Sequence, residues 1–315
     1  MILDQFPDLS WLKSQIAQRF KSRVGYGGIP LETEGFPSVI INTQIKQTYR
    51  ADVTGPVSLF LNLRGRSKCS VEGRKVTVPP DHYFISNRFQ SYTLEIESAQ
   101  PVETFNIHLG EAFSEGVFSA LLTPADVILN DGLQQKAVTL AFHNQLYRKD
   151  EAFHRIVYEI KKSQTPAYFD KLLFEEKMTS LVVYLLQQHR DLLKRIAQMP
   201  ALKASTRLEL YKRLSHSLDW LHAQDGSYID LDALASTACL SKYHFLRLFK
   251  QTYGLSPYQY WQNLRLEKAE KLLRTTDLAI REIADFLGFD NAASFSRLFR
   301  QRRRLYPSQF REVAN

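Results

Sequence analysis

Two stretches near the carboxyl end, LSKYHFLRLFKQTYGLSPYQYWQNLRLEKAEKLL (Leu240–Leu273) and IREIADFLGFDNAASFSRLFRQ (Ile280–Gln301), decide the fold, because with the residues around them they hold one pattern twice. Leu231, Leu234, Ala235 and Leu240 recur 49 residues later as Ile280, Ile283, Ala284 and Phe289. Ser241, Phe245, Arg247, Leu248, Phe249 and Pro257 recur 50 residues later as Asn291, Phe295, Arg297, Leu298, Phe299 and Pro307. The single added residue falls between Phe289 and Asn291, at a turn, so what repeats is a structure rather than a string of letters.

Each copy reads as two short helices joined by a tight turn. Leu231, Leu234 and Ala235 share one helical face, and Cys239-Leu240 in the first copy and Gly288-Phe289 in the second occupy the turn. Ser241 and Asn291 then stand where a side-chain oxygen accepts from the orphan N–H groups that open a new helix. Along the helix after Ser241, residues Phe245, Leu248 and Phe249 point into a core and leave Tyr243, Leu246, Arg247 and Lys250 on the opposite face. That face mixes two chemistries. A guanidinium bonds guanine bidentately and an apolar tip meets a thymine methyl, whereas an ammonium suits phosphate.

These residues closely resemble the AraC/XylS family of bacterial transcription regulators over about the last third of the chain. The resemblance implies an all-α DNA-binding domain with two helix-turn-helix units, bridged by a long helix that here carries Arg265, Leu266, Ala269 and Leu272. It implies that the helices Ser241 to Lys250 and Asn291 to Arg300 enter successive major grooves of double-stranded DNA, roughly 34 Å apart. Tyr243, Leu246 and Arg247, flanked by Ser241, His244 and Lys250, are then expected on bases and backbone of the first groove. Asn291, Ser294 and Arg297 are expected in the second groove, with Arg265, Arg302, Arg303 and Arg304 on phosphates. For Arg247 and Arg297, pairing with a neighbouring helix is the competing role.

The second copy departs from the family pattern. Gly254 ends the first recognition helix, but Arg304 stands at the matching position, where a left-handed non-glycine costs about 1 kcal/mol. Either that helix ends differently or the run Arg302–Arg304 offsets the strain by meeting phosphate. Tyr306 replaces a small polar residue before Pro307, and Ala293 and Ser294 are small where the family places a small polar residue and then an aromatic or histidine. Weaker base readout by the second unit is the expectation.

Composition sets the frame around this module. A chain of 315 residues with 44% hydrophobic content is long enough for two domains with cores of their own. It has no apolar run near the roughly 18 residues that cross a bilayer and no basic-then-apolar leader, so a cytoplasmic location without membrane contact is expected. Cys69 and Cys239 are the only cysteines, which excludes a disulfide framework and argues against a cysteine-rich zinc site. From Ser241 onward 14 Lys/Arg face 7 Asp/Glu, so nearly all of the net charge of +8 sits on the repeat, where counterion release from a polyanion needs it.

The first 130 residues have a different texture. A short amphipathic helix is expected after Pro7, with Leu9, Leu12, Ile16 and Phe20 on one face. Val39–Ile41, Val57–Leu63, Cys69–Val78, His82–Ser86, Tyr92–Ile96 and Val102–Leu109 read as short strands, separated by turns at Gly55-Pro56, Gly65, Glu72-Gly73, Pro79-Pro80 and Gln100-Pro101. Such spacing suggests a small antiparallel barrel or sandwich, and the family resemblance implies a cupin-like jelly roll, a holder for a small effector or a scaffold for pairing. His82 and His108 lack the spacing of a metal set, and no nucleophile-base pair or phosphate loop is found. No cofactor, no metal and no catalysis are therefore expected. The alternative function is a cupin-like small-molecule-binding or metal-dependent protein in which DNA binding is secondary.

A short helix is expected over Glu111–Leu122, and between the two domains the pattern turns helical, over Leu133–Tyr147, Ala152–Lys162 and Phe169–Leu193. In the last run Leu172, Leu173, Met178, Leu181, Val182, Leu185 and Leu186 form a broad apolar stripe. It suits either a homodimer seam, as the resemblance implies, or packing on its own barrel. Ile196–Ser205, with Pro200, reads as a linker, and Thr206–Ala223 as the first helix of the DNA-binding domain. The expected fold is thus α+β and multidomain: a β-rich sensing domain (residues 1–130), a helical dimerisation segment (131–204) and the DNA-binding domain (205–315). The expected partners are double-stranded DNA, a small-molecule effector, a second copy of the chain and, for an activator, RNA polymerase.

Overall fold

The computed structural model describes residues 2–17, 24–26, 29–31, 35–122, 140–165, 168–169, 171–200, 203–223 and 228–314. The chain divides into two compact units, Met1–Leu193 and Lys194–Asn315. The first holds β1 (Ile2–Leu3), α1 (Leu9–Ala17), β2 (Val24–Tyr26), β3 (Ile29–Leu31), β4 (Val39–Thr54), β5 (Val57–Arg64), β6 (Ser67–Val71), β7 (Arg74–Val78), β8 (His82–Ser86), β9 (Ser91–Leu109), α2 (Glu111–Leu122), β10 (Leu146–Arg148), α3 (Glu151–Lys162), β11 (Gln164–Thr165), β12 (Tyr168–Phe169) and α4 (Lys171–Ala197).

One sheet of eight strands carries the unit, in the order β1-β4-β9-β5-β8-β10, with β6 joined to β9 and to β7. Its two ends do not pair, so among the described residues the sheet is open, with no closure into a barrel. Two strands are longer than the sequence suggested. β4 runs on to Thr54, and β9 passes through Gln100-Pro101, which was expected to end a strand. Ile45 pairs with Val102 but Gln47 with Glu97, so the residues from Ser98 to Pro101 bulge opposite Lys46. A bulge is where a strand tolerates a proline, which has no N–H to give to the ladder. Cys69–Val78 folds back at Glu72-Gly73, one of the expected turns, into the hairpin β6–β7.

Alternation along β5, β8 and β9 separates two apolar layers. Leu59, Leu61, Tyr83, Ile85, Phe105 and Ile107 face a layer completed by the helices, through Phe118, Phe153, Ile160, Met178, Leu181, Val182 and Leu185. Phe60 and Phe84 point the other way, into a layer with Val53, Cys69, Val71, Val78, Tyr92 and Leu94, against which Phe6, Leu9 and Leu12 pack. Burial from both sides explains why β8 reads as a continuous apolar run. It also pushes the Cys69 thiol well above its ordinary range.

Two helical expectations change. Leu146 and Tyr147, expected at the end of a helix over Leu133–Tyr147, instead form β10 against β8, where Tyr147 stacks on Tyr83 at 5.3 Å. Residues 133–139 lie outside the described residues, as does Phe20. In the apolar stripe of α4, Met178, Leu181, Val182 and Leu185 are fully or almost fully buried in the unit's own core. Those four residues pack on their own sheet, whereas Leu172 and Leu173 of the same stripe are exposed. The stripe was legible, but a stripe shows only that something covers it.

Candidate nucleic-acid interface

The second unit is helical: α5 (Ala204–Ala223), α6 (Leu231–Thr237), α7 (Lys242–Tyr253), α8 (Pro257–Thr275), α9 (Ile280–Phe286), α10 (Ala292–Arg303) and α11 (Pro307–Ala314). Capping fixes the register of both repeats. Asp230 accepts from the N–H groups of Asp232 and Ala233 to open α6. Ser241 accepts from His244 N–H to open α7, and Asn291 from Ser294 N–H, at 2.8 Å, to open α10. Between the helices of each pair the same two backbone bonds close the turn: Cys239 to Ser236 and Leu240 to Ala235 in one, Gly288 to Asp285 and Phe289 to Ala284 in the other.

Four positions take left-handed backbone, two in each unit. They are Cys239 (φ 51°) and Gly254 (φ 73°) in the first, Gly288 (φ 71°) and Arg304 (φ 65°) in the second. The second recognition helix therefore ends as the first does, despite its arginine, and its Arg304 N–H donates to Arg300 O just as Gly254 N–H donates to Lys250 O. Of the two alternatives raised by the sequence, a different helix end is excluded. Each non-glycine in this region costs about 1 kcal/mol or somewhat more.

The cores beneath the two faces are aromatic. Phe245, Leu248 and Phe249 are buried under α7, where the Phe249 ring meets Tyr253 and Tyr260 and the Tyr260 hydroxyl lies 3.2 Å from His222 Nε2. Phe295 and Phe299 are buried under α10, in a cluster with Leu266, Ala269 and Leu273 of α8 and Ile283, Ala284 and Leu287 of the second turn. These side chains turn the opposite faces outward. Ser241, Tyr243, His244, Arg247 and Lys250 are exposed, Tyr243 to 78%, with Leu246 half-buried between them. Asn291, Ala293, Ser294, Arg297 and Arg300 are exposed on α10.

Arg265 does not belong to that surface, contrary to the phosphate role expected of it. It is 4% exposed, its Nε donates to Leu287 O at 2.8 Å, and its guanidinium lies between the rings of Trp261 (4.2 Å) and Phe289 (3.6 Å). Burial lowers its pKa to about 10, so it stays charged at neutral pH and fastens α8 to the second turn. Arg303 is likewise committed elsewhere: it pairs with Glu270 of α8 and is only partly exposed, while Arg302 and Arg304 on either side are exposed.

Two features of the face were missed from the sequence. Arg300, offset by 50 from Lys250, lies with its guanidinium 4.5 Å over the Tyr306 ring and donates to the Tyr306 hydroxyl. The offset alone would have found it. Lys242 reaches Asp232 at 2.9 Å, a bond between two helices that no spacing rule signals. Tyr306 N–H donates to Gln309 Oε1, which is half of the reciprocal box that Ser256 and Gln259 complete at the start of α8.

Two capped helix-turn-helix units with outward cationic faces define a class, that of helix-turn-helix DNA-binding modules. Residues 234–312 match the family model described as a helix-turn-helix domain. The probable transcription factor PqrA of Proteus vulgaris is 35% identical over 97 residues, 30% of this chain and 80% of that protein. The MmsAB operon regulatory protein of Pseudomonas aeruginosa is 34% identical over 102 residues, 31% and 33% of the two chains. The regulator AlkR of Acinetobacter baylyi is 28% identical over 140 residues, 44% of each. The chain belongs to the AraC/XylS family. Outside PqrA, the match spans under half of the length of these relatives.

Proposed function

We propose that the protein regulates transcription by sequence-specific binding of double-stranded DNA through both helix-turn-helix units, with the first unit of the chain holding a small effector. The observation that carries this reading is the pair of equivalent faces on α7 and α10, both capped, both exposed, and both backed by an aromatic core. Tyr243, Leu246 and Arg247 read bases in one major groove, and Ser294 and Arg297 in the next, with Ser241 and Asn291 holding the helix ends against the backbone. Lys250, Arg300, Arg302 and Arg304 supply phosphate contacts. Arg303 contributes through Glu270, by holding α10 on α8.

On this reading the protein acts in the cytoplasm as a homodimer and meets RNA polymerase where it activates a promoter. A second copy must use apolar surface that the core leaves over. The groove between Leu121, Leu140, Val183, Leu186 and Leu193 offers it. Selection of bound duplexes from a randomised pool tests the DNA reading: two short preferred blocks about one helical turn apart are expected. Uniform recovery of all sequences would overturn it.

A further inference from the structure

The two units close their last turns alike but place different side chains at the start of the helix that follows. Gly254 and Arg304 both take left-handed backbone, and two residues on, ahead of Pro257 and Pro307, stand Ser256 and Tyr306. Ser256 commits its hydroxyl to its own helix, accepting from Gln259 N–H at 3.2 Å, while Gln259 Oε1 accepts from Ser256 N–H at 3.0 Å. Tyr306 keeps only the second of these bonds, its N–H donating to Gln309 Oε1 at 3.0 Å. A phenol holds its oxygen too far from its own backbone to cap, so that oxygen is free for another use.

The Tyr306 side chain turns back over α10 instead. The guanidinium carbon of Arg300 lies 4.5 Å from its ring centre, and Arg300 Nη1 donates to its phenol oxygen. Both residues are exposed, Tyr306 to 40%, and among the described residues Arg300 has no acidic partner. Arg303 in the same basic run differs, because it pairs with Glu270. A ring beneath the guanidinium and a bond at one nitrogen fix a side chain that would otherwise sample many rotamers, and they leave most of its N–H donors unused. The phenol oxygen, having accepted from Arg300, still has its own O–H to give.

A cation and a neutral hydroxyl, both donors, thus stand side by side in one geometry before anything binds. Two adjacent donors suit an anion with two acceptor oxygens, which a phosphodiester has and a base edge has not. Position agrees: base edges meet the N-terminal part of a recognition helix, and Arg300 lies in the last turn of α10. The first unit has no counterpart, since Lys250 and Ser256 occupy the two places and the Ser256 hydroxyl is already bonded.

We propose that Arg300 and Tyr306 clamp a single phosphodiester of the duplex beside the second contacted groove, the guanidinium on one non-bridging oxygen and the phenol O–H on the other. This rests on the reading of α10 as a DNA-contacting helix, and adds a contact residue from beyond the helix-turn-helix unit itself.

The test uses the full chain and the duplex recovered by selection, titrated over a range of salt concentrations. Tyr306→Phe keeps the ring and removes the hydroxyl. Affinity should fall about tenfold, as loss of a hydrogen bond to a charged group does, with the salt slope unchanged, because a neutral donor releases no counterion. Arg300→Ala should lower that slope by about 1. Tyr306→Ser should raise the melting temperature by restoring a cap and yet weaken DNA binding, whereas a tyrosine that only held the fold together would lower both. Methylphosphonates, which remove one anionic oxygen at a time, locate the contact. One position beside the second preferred block should cost the unaltered chain about tenfold and Tyr306→Phe little, every other position acting alike on the two proteins. Full affinity in Tyr306→Phe, a fall in both measures in Tyr306→Ser, or the same methylphosphonate profile in both proteins overturns the clamp and leaves the DNA reading standing. If selection recovers no preferred duplex, the DNA reading falls and the clamp falls with it.

Discussion

The two helix-turn-helix units share a scaffold and differ on the face it presents. Position by position, Lys242, Tyr243, His244, Leu246, Arg247 and Lys250 on α7 stand against Ala292, Ala293, Ser294, Ser296, Arg297 and Arg300 on α10. The first set reaches far and carries aromatic and apolar tips. The second is short until its end, where Arg300, Arg302 and Arg304 gather near the last turn. One fold thus carries two chemistries, and the proposed reading concentrates discrimination in the first unit and non-selective attraction in the second.

That contrast breaks or sharpens on measurement. The largest effect is expected at the joint between α8 and the second turn: Arg265→Ala removes a charged donor from Leu287 O and a filler between two rings, a loss of about 3 kcal/mol in urea unfolding. An unchanged midpoint would return Arg265 to the DNA surface. Next, Arg247→Ala should cost about 1–3 kcal/mol at one base step and relax preference there alone, read by titration across operator variants. Arg302→Ala should weaken every sequence alike and lower the salt slope by about 1. If the two variants behave identically, the division of labour is wrong. The smallest effects are conformational. Cys239→Gly and Arg304→Gly each relieve a left-handed non-glycine and should stabilise by about 1 kcal/mol in thermal unfolding, Arg304→Gly with some loss of DNA affinity.

The sequence was most legible where short-range rules govern. Caps at Ser241 and Asn291, the turn residues and the inward phenylalanines all follow from contacts within a few positions, so the twin units could be placed almost to the residue. Legibility fell where the deciding contact is distant. Pro101 reads as a break, and only the ladder with β4 turns it into a bulge. Leu146 carries a helical pattern, yet its partner Phe84 lies in β8 and makes it a strand. A cationic side chain in a basic segment looks like a phosphate ligand until Trp261 and Phe289 are seen on either side of it. The α4 stripe was visible, but its neighbour across the interface was not.

A rod capped at its start by the reciprocal Ser256–Gln259 bonds and held near its middle by a guanidinium wedged between rings behaves, on the proposed DNA reading, as a gauge. The protein, and not the duplex, then dictates how far apart its two sites of contact lie. Adding one base pair between the preferred blocks turns the far groove away by about a tenth of a revolution, beyond what short side chains such as Ala293 and Ser294 can bridge.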